Sequence, residues 1–78
     1  MAGNIYRAVE IEHSAGRRIE AGDRAAAAKL FREAAEEFKK DEYWLAHARS
    51  GAKPDAENTV VNAVHRCEQK AKELEAGR

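Results

Sequence analysis

The chain has 78 residues, a length that allows a single domain over residues 1–78. Its 14 basic and 14 acidic side chains give a formal net charge of zero, and it has one cysteine, Cys67. Zero charge argues against nucleic acid as the partner, because phosphates attract basic surfaces, and a lone cysteine excludes an internal disulfide and suits a reducing compartment. No apolar stretch approaches the ~20 residues of a membrane-spanning helix, so we expect a cytoplasmic protein that does not contact membranes.

Helix-forming residues dominate the sequence, and β-branched residues never alternate as they do in strands. The strongest breaks are Gly22-Asp23 and the stretch Ser50-Gly51-Ala52-Lys53-Pro54. We therefore predict an all-α fold with helices at roughly 4–21, 24–49 and 55–76.

The first predicted helix carries an apolar stripe that we expect to be buried: Ile5, Ala8, Val9, Ile11, Ala15 and Ile19. Gly16 lies on the same side, where its missing Cβ would let a neighbouring helix approach closely. Glu12 projects into this apolar sector and is the one polar exception to the pattern.

The second predicted helix begins after Asp23, which is placed to cap its first N–H groups. Its apolar stripe reads Ala27, Leu30, Phe31, Ala34, Phe38, Leu45 and Ala48. No helix-breaking residue lies between Lys40 and Ala48, so we predict one continuous helix, with a bend near Asp41 as the alternative.

The third predicted helix starts beside Pro54 and carries the stripe Ala56, Val60, Ala63, Val64, Cys67, Ala71 and Leu74. Short connections make neighbouring helices antiparallel, which predicts an up-down-up three-helix bundle. A second helix of about 26 residues would extend past a first helix of about 18, since each residue adds ~1.5 Å. We expect Tyr43 and Trp44 to lie on this overhang, either capping the end of the bundle or forming an apolar patch of the kind that marks interfaces.

The spacing of Gly22, Ala27, Phe31 and Ala34 resembles the helical hairpin of tetratricopeptide repeats, and Ala15 matches the small position of that family's first helix. A hairpin followed by one long helix also resembles the MIT domain, and residues 66–68 (Arg-Cys-Glu) resemble the Arg-Ala-Glu of its third helix. The MIT resemblance implies that the groove between helices two and three binds a helical motif of a partner protein.

Candidate catalytic and metal-binding groups favour structural roles in this sequence. His65 and Cys67 are two residues apart on a helix and point in nearly opposite directions, unlike a metal-ligand pair. We expect Cys67 to pack in the core, and Glu12 and Asp41 to pair at its edge with basic groups such as Arg66 and Lys70. We therefore predict neither an enzyme nor a cofactor, metal or small-molecule substrate.

These observations predict a small protein–protein interaction module that binds a partner through an aromatic surface of helices two and three. The predicted contact residues are Tyr43, Trp44, His47, Val61 and His65. One alternative is an inhibitor of the mobile-element or phage type that blocks a host protein, and a nucleic-acid-associated regulator is a weaker one. Self-association through the same patch would make the protein a homodimer.

Overall fold

The structure is a computed structural model, described here for residues 5–42, 44–46 and 59–77. These residues contain three helices and no strand, which confirms the predicted all-α class. The helices are α1 (Ile5–Glu20), α2 (Arg24–Phe38) and α3 (Thr59–Ala76).

A tight turn joins α1 to α2 at the first predicted break. Gly22 adopts a φ of 83°, in the left-handed region that glycine enters without a steric penalty. Asp23 then accepts a hydrogen bond of 3.1 Å from the backbone N–H of Ala26. The predicted cap of the second helix is therefore confirmed, and α2 turns back along α1.

Helix α2 is the central element and packs against both α1 and α3, whereas α1 and α3 have little contact with each other. Arg7 near the start of α1 pairs with Glu37 near the end of α2, at 3.7 Å. Arg32 of α2 donates through Nε to Glu75 near the end of α3, at 2.7 Å. These pairs place the start of α1 beside the end of α2, and the middle of α2 beside the end of α3.

Small side chains make up much of the core, which lets the helices pack closely. Phe31 and Phe38 are the two large buried side chains that α2 contributes. The buried alanines of α1 and α2 are Ala8, Ala15, Ala27, Ala28, Ala34 and Ala35. Helix α3 covers them with the predicted stripe: Val60, Ala63, Val64, Cys67, Ala71 and Leu74, together with Val61.

The prediction of one continuous helix over 24–49 is wrong, because α2 ends at Phe38. The amide N–H groups of Lys40 and Asp41 bond three residues back, to Glu37 and Phe38, so the last turn tightens and the chain bends. Helical structure resumes at Glu42 and at residues 44–46. The bend lets Trp44 pack against the core, and this burial outweighs the helix propensity of residues 39–41. Residues 47–49, and the predicted start of the third helix at 55, lie outside the described residues.

Two expectations for α1 are also corrected. Ile5 and Val9 were assigned to the core, but they are 36% and 39% exposed. A Cβ at Gly16 would meet nothing within 4 Å, so no helix approaches closely there. The reason is that α1 packs mainly on α2, so only a narrow stripe of its surface is covered.

Candidate functional site

The bend after α2 positions the side chain of Trp44. Asp41 is buried at the bend, and its carbonyl oxygen accepts a hydrogen bond of 3.1 Å from the N–H of Leu45. This bond starts the short helical segment on a new axis. Trp44 is thereby half-buried against the core, while the neighbouring Leu45 is 44% exposed.

Trp44 meets α3 through His65. The two ring centroids are 6.0 Å apart with an interplanar angle of 63°, which is the edge-to-face geometry that aromatic rings favour. Lys39 lies on the other flank, with its Nζ 5.9 Å from the Trp44 ring centroid. We call Lys39, Trp44, Leu45 and His65 the Trp44 surface.

Lys39 is itself held by acidic groups. Its Nζ lies 2.7 Å from a Glu68 carboxylate oxygen and 3.5 Å from one of Glu36. The hydrogen bond to Glu68 is the main reason that the pKa of Lys39 is raised above its ordinary value. The cation beside Trp44 is therefore anchored from both α2 and α3.

The five predicted contact residues meet different outcomes. The structure brings Trp44 and His65 together, with His65 exposed and Trp44 half-buried. Val61 is fully buried, so its side chain is not exposed to a partner in this structure. Tyr43 and His47 lie outside the residues whose side chains are described. The overhang expected to carry the patch does not form, because α2 ends at Phe38.

The outer seam between α2 and α3 is crossed by two ion pairs. Arg32 donates to Glu75 through two of its guanidinium nitrogens, Nε and Nη2. Lys39 pairs with Glu68 further along the two helices. These bridges lie where the MIT resemblance implies an open groove for a partner helix. A helix lying along the whole seam would have to cross both pairs.

Glu12 and Cys67 take the structural roles predicted for them. Glu12 accepts hydrogen bonds from Arg66 Nε at 2.7 Å and from its NH2 group at 2.9 Å. This bidentate bond is the main reason that the pKa of Arg66 is raised. Cys67 is a fully buried thiol whose pKa is raised to about 12, chiefly by burial.

A second surface was missed by the sequence analysis. A groove of about 580 Å³ lies between α1 and α3, floored by Phe31 and lined on α3 by Arg66 and Lys70. Its α1 wall consists of Glu12, His13, Gly16, Arg17 and Glu20. Tyr6, 80% exposed, lies two turns before His13 on the same side of α1. The seven-residue spacing of Tyr6, His13 and Glu20 was the signal in the sequence that could have revealed this face.

In the described part of the chain, no three His, Cys, Asp or Glu side chains are grouped as a metal site. No helix among those same residues has the length and apolar character needed to cross a membrane. No family model, curated protein or solved structure matches this chain. The candidate site therefore rests on its own geometry: an aromatic side chain fixed between two helices at one end of the molecule.

Proposed function

We propose that this chain is a small protein–protein interaction module that binds a partner protein through the Trp44 surface. The half-buried Trp44 ring is the single observation that supports this proposal most. His65 and Lys39 contact the ring in the unbound chain, and both contacts favour this orientation of the ring. A tryptophan fixed in this way loses little conformational entropy on binding, which is typical of the residues that dominate interface energetics.

The scaffold supports the same proposal. We take it to be an up-down-up three-helix bundle. The pair Arg7–Glu37 favours this arrangement of α1 and α2, and Arg32–Glu75 together with Lys39–Glu68 favours it for α2 and α3. The burial of Ala15, Ala27 and Phe31 agrees with a hairpin like that of tetratricopeptide repeats. Repeated helical hairpins of this kind form surfaces that bind other proteins.

The two ion pairs across the α2–α3 seam limit where the partner lies. Arg32–Glu75 and Lys39–Glu68 occupy the length of the seam, whereas Trp44 and Leu45 lie beyond its Lys39 end. Since Leu45 is exposed and adjoins Trp44, the apolar contact area is concentrated at this end. We propose that the partner docks on this end of the molecule.

Affinity capture with the immobilised protein, followed by binding measurements on the purified captured partner, tests the proposal. We expect Trp44→Ala and His65→Ala each to weaken binding by about tenfold or more, as loss of an interface anchor does. Arg18→Ala is the control, because it removes an exposed side chain near the α1–α2 turn, at the end of α2 opposite to Phe38 and Trp44.

Far-UV circular dichroism on each variant separates loss of binding from loss of fold. Unchanged affinity in a folded His65→Ala variant and a folded Trp44→Ala variant would contradict the proposal. An adaptor leaves the activity of its partner intact, whereas an inhibitor abolishes it. An activity assay on the captured partner therefore separates these two forms of the same function.

A further inference from the structure

The backbone does not impose the bend after Phe38. Lys39, the residue that follows α2, has a φ of −68° and a ψ of −11°, in the right-handed helical region. Among the residues that the structure describes, only glycine has a positive φ. Residues 39–46 contain neither glycine nor proline. A second helix continued through residue 46 is therefore open to this backbone, and contacts between side chains select the bend.

Two contacts with α3 occur together only when α2 is bent. Lys39 Nζ lies 2.7 Å from a Glu68 carboxylate oxygen, and the Trp44 and His65 ring centroids are 6.0 Å apart. His65 and Glu68 are three residues apart on α3 and so lie on the same side of that helix. Residues 39 and 44 of a continuous helix would point about 140° apart, at about 100° per residue. A straight helix could turn one of these side chains toward α3, but not both.

Lys39 connects the two contacts. Its Nζ lies 5.9 Å from the Trp44 ring centroid as well as beside Glu68. A cation within about 6 Å of an aromatic centroid is attracted by the ring. The side chains of Lys39 and Glu68 are 30% and 33% exposed, so water and salt screen the ion pair only in part. One ammonium group thus holds both Trp44 and α3 beside the end of α2.

We propose that Lys39, Trp44 and Glu68 form a latch that keeps the end of α2 bent, and that loss of the charge on Lys39 or Glu68 releases α2 toward one continuous helix. In the released form Trp44 turns away from His65, so the Trp44 surface comes apart. Because salt weakens ion pairs, the latch makes this surface depend on ionic strength. The consequence for partner binding rests on the function proposed above, whereas the latch itself needs no partner.

Lys39→Met tests the latch, because methionine is unbranched and has nearly the helix propensity of lysine but carries no charge. Glu68→Gln removes the charge at the other end of the ion pair. We expect each variant to raise the ratio of the continuous to the bent form about tenfold, for example from about 1% to about 10% of the molecules. Lys40→Met is the matched control and is expected to leave this ratio unchanged, because Lys40 pairs with Glu37 of α2, at 2.9 Å.

The ¹⁹F NMR spectrum of protein labelled with 5-fluorotryptophan measures the ratio, because Trp44 is the sole tryptophan. The released form gives a second resonance, or broadens the first where exchange takes microseconds to milliseconds. The ¹³Cα chemical shifts of residues 39–41 identify the released form, since they move toward α-helical values only if the backbone straightens. This second measurement separates release of the bend from simple uncovering of the ring.

Salt provides an independent test of the same latch. At about 1 M NaCl the Debye length falls to about 3 Å, so the Lys39–Glu68 pair is weakened. We expect wild type in high salt to show both changes that Lys39→Met shows in low salt, and Lys39→Met to respond little to salt. Lys39→Arg keeps the positive charge and is expected to behave as wild type at both salt concentrations.

A Lys39→Met variant whose ¹⁹F spectrum and ¹³Cα shifts match those of wild type would overturn the latch. Equal responses of Lys39→Met and Lys40→Met would overturn it too, because they would assign the effect to any loss of positive charge near the end of α2. A salt response that Lys39→Met shares with wild type would have the same meaning. All these measurements use the chain without a partner, so the latch and the proposed binding function fail separately.

Discussion

The Cys67 thiol and the Trp44 ring lie on the same core, but burial gives them different roles. Cys67 is fully buried, and burial raises its pKa to about 12. Trp44 reaches the same core at its edge and keeps part of its ring accessible. A fully buried thiol can only pack, whereas a half-buried indole can pack and also bind.

The reactivity of Cys67 follows from this burial. A thiol with a pKa of about 12 is ionised in only about one molecule in 10,000 at pH 8, and the thiolate is the reactive form. We expect almost no labelling by a thiol reagent in the native protein and rapid labelling in denaturant. The rate of labelling, followed by mass spectrometry as denaturant increases, checks this. Fast labelling of the native protein would mean that α3 does not pack as described.

At the scale of elements, the turn after α1 and the bend after α2 have different origins. The α1–α2 turn is encoded locally, by Gly22 with its positive φ and by the Asp23 cap. The end of α2 has no such residue, and its bend places Asp41 and Trp44 in the core. Ion pairs between helices then tie α2 to α3 at Arg32–Glu75 and Lys39–Glu68, and α1 to α3 at Glu12–Arg66.

We expect alanine to have opposite effects on stability at Gly22 and at Gly16. Gly22→Ala places a Cβ in the left-handed region, so we expect it to lower the free energy of unfolding by about 1 kcal/mol or more. Gly16→Ala meets nothing within 4 Å in mid-helix and gains helix propensity, so we expect a rise of about 0.5–1 kcal/mol. Urea unfolding of both variants, compared with wild type, measures the two changes. Effects of the same sign would contradict the backbone geometry described for these sites.

The Arg32–Glu75 pair predicts an acid dependence of stability. Its hydrogen bond lowers the pKa of Glu75 below the ordinary value of 4.5. A carboxyl whose pKa is lower in the folded state adds stability above its unfolded pKa and loses it as pH falls through the folded pKa. We expect wild type to melt at a higher temperature than Glu75→Gln at neutral pH, and this difference to shrink as pH falls below about 4.5.

Thermal unfolding of both proteins at a series of pH values, at low ionic strength, measures this difference. Glu73→Gln is the matched control, because Glu73 lies one half-turn away and is not paired with Arg32. A difference between wild type and Glu75→Gln that stays constant down to acidic pH would show that the ion pair is not formed in solution.

At the scale of the whole molecule, one helix organises the core. Helix α2 packs against both neighbours, whereas α1 and α3 have little contact with each other. Phe31 lies on α2 and also forms the floor of the groove between the outer helices. Loss of this side chain therefore affects packing on both sides of the molecule.

Phe31→Ala is expected to cost about 3–5 kcal/mol, a large part of the about 4–12 kcal/mol typical of a 78-residue domain. Phe31→Leu retains most of the volume and is expected to cost about 1–2 kcal/mol. Circular dichroism and the fluorescence of Trp44, the sole tryptophan, are expected to report one coincident transition. A transition seen first by Trp44 would show that the bend unfolds separately from the helices.

The sequence by itself determined the all-α class, the α1–α2 turn, the stripe of α3 and the pairing of Glu12 with Arg66. Each of these depends on helix propensity, on a local cap or on a polar residue within an apolar stripe, and all three are visible in the order of residues. The sequence also indicated Trp44 and His65 as neighbours, although the overhang on which that prediction rested does not form.

Tertiary structure selected the bend near Asp41 over a continuous second helix, and it alone decided which side of α1 is exposed. No glycine or proline marks residues 39–41; the helix ends there because the bend lets Trp44 bury apolar surface that a straight helix would leave in water. Val9 and Gly16 lie outside the core because α1 packs mainly on α2, and how much of a helix its neighbours cover is a property of the assembled helices. The identity of neighbouring residues along the chain encodes helices and turns, but burial depends on contacts between residues far apart in sequence.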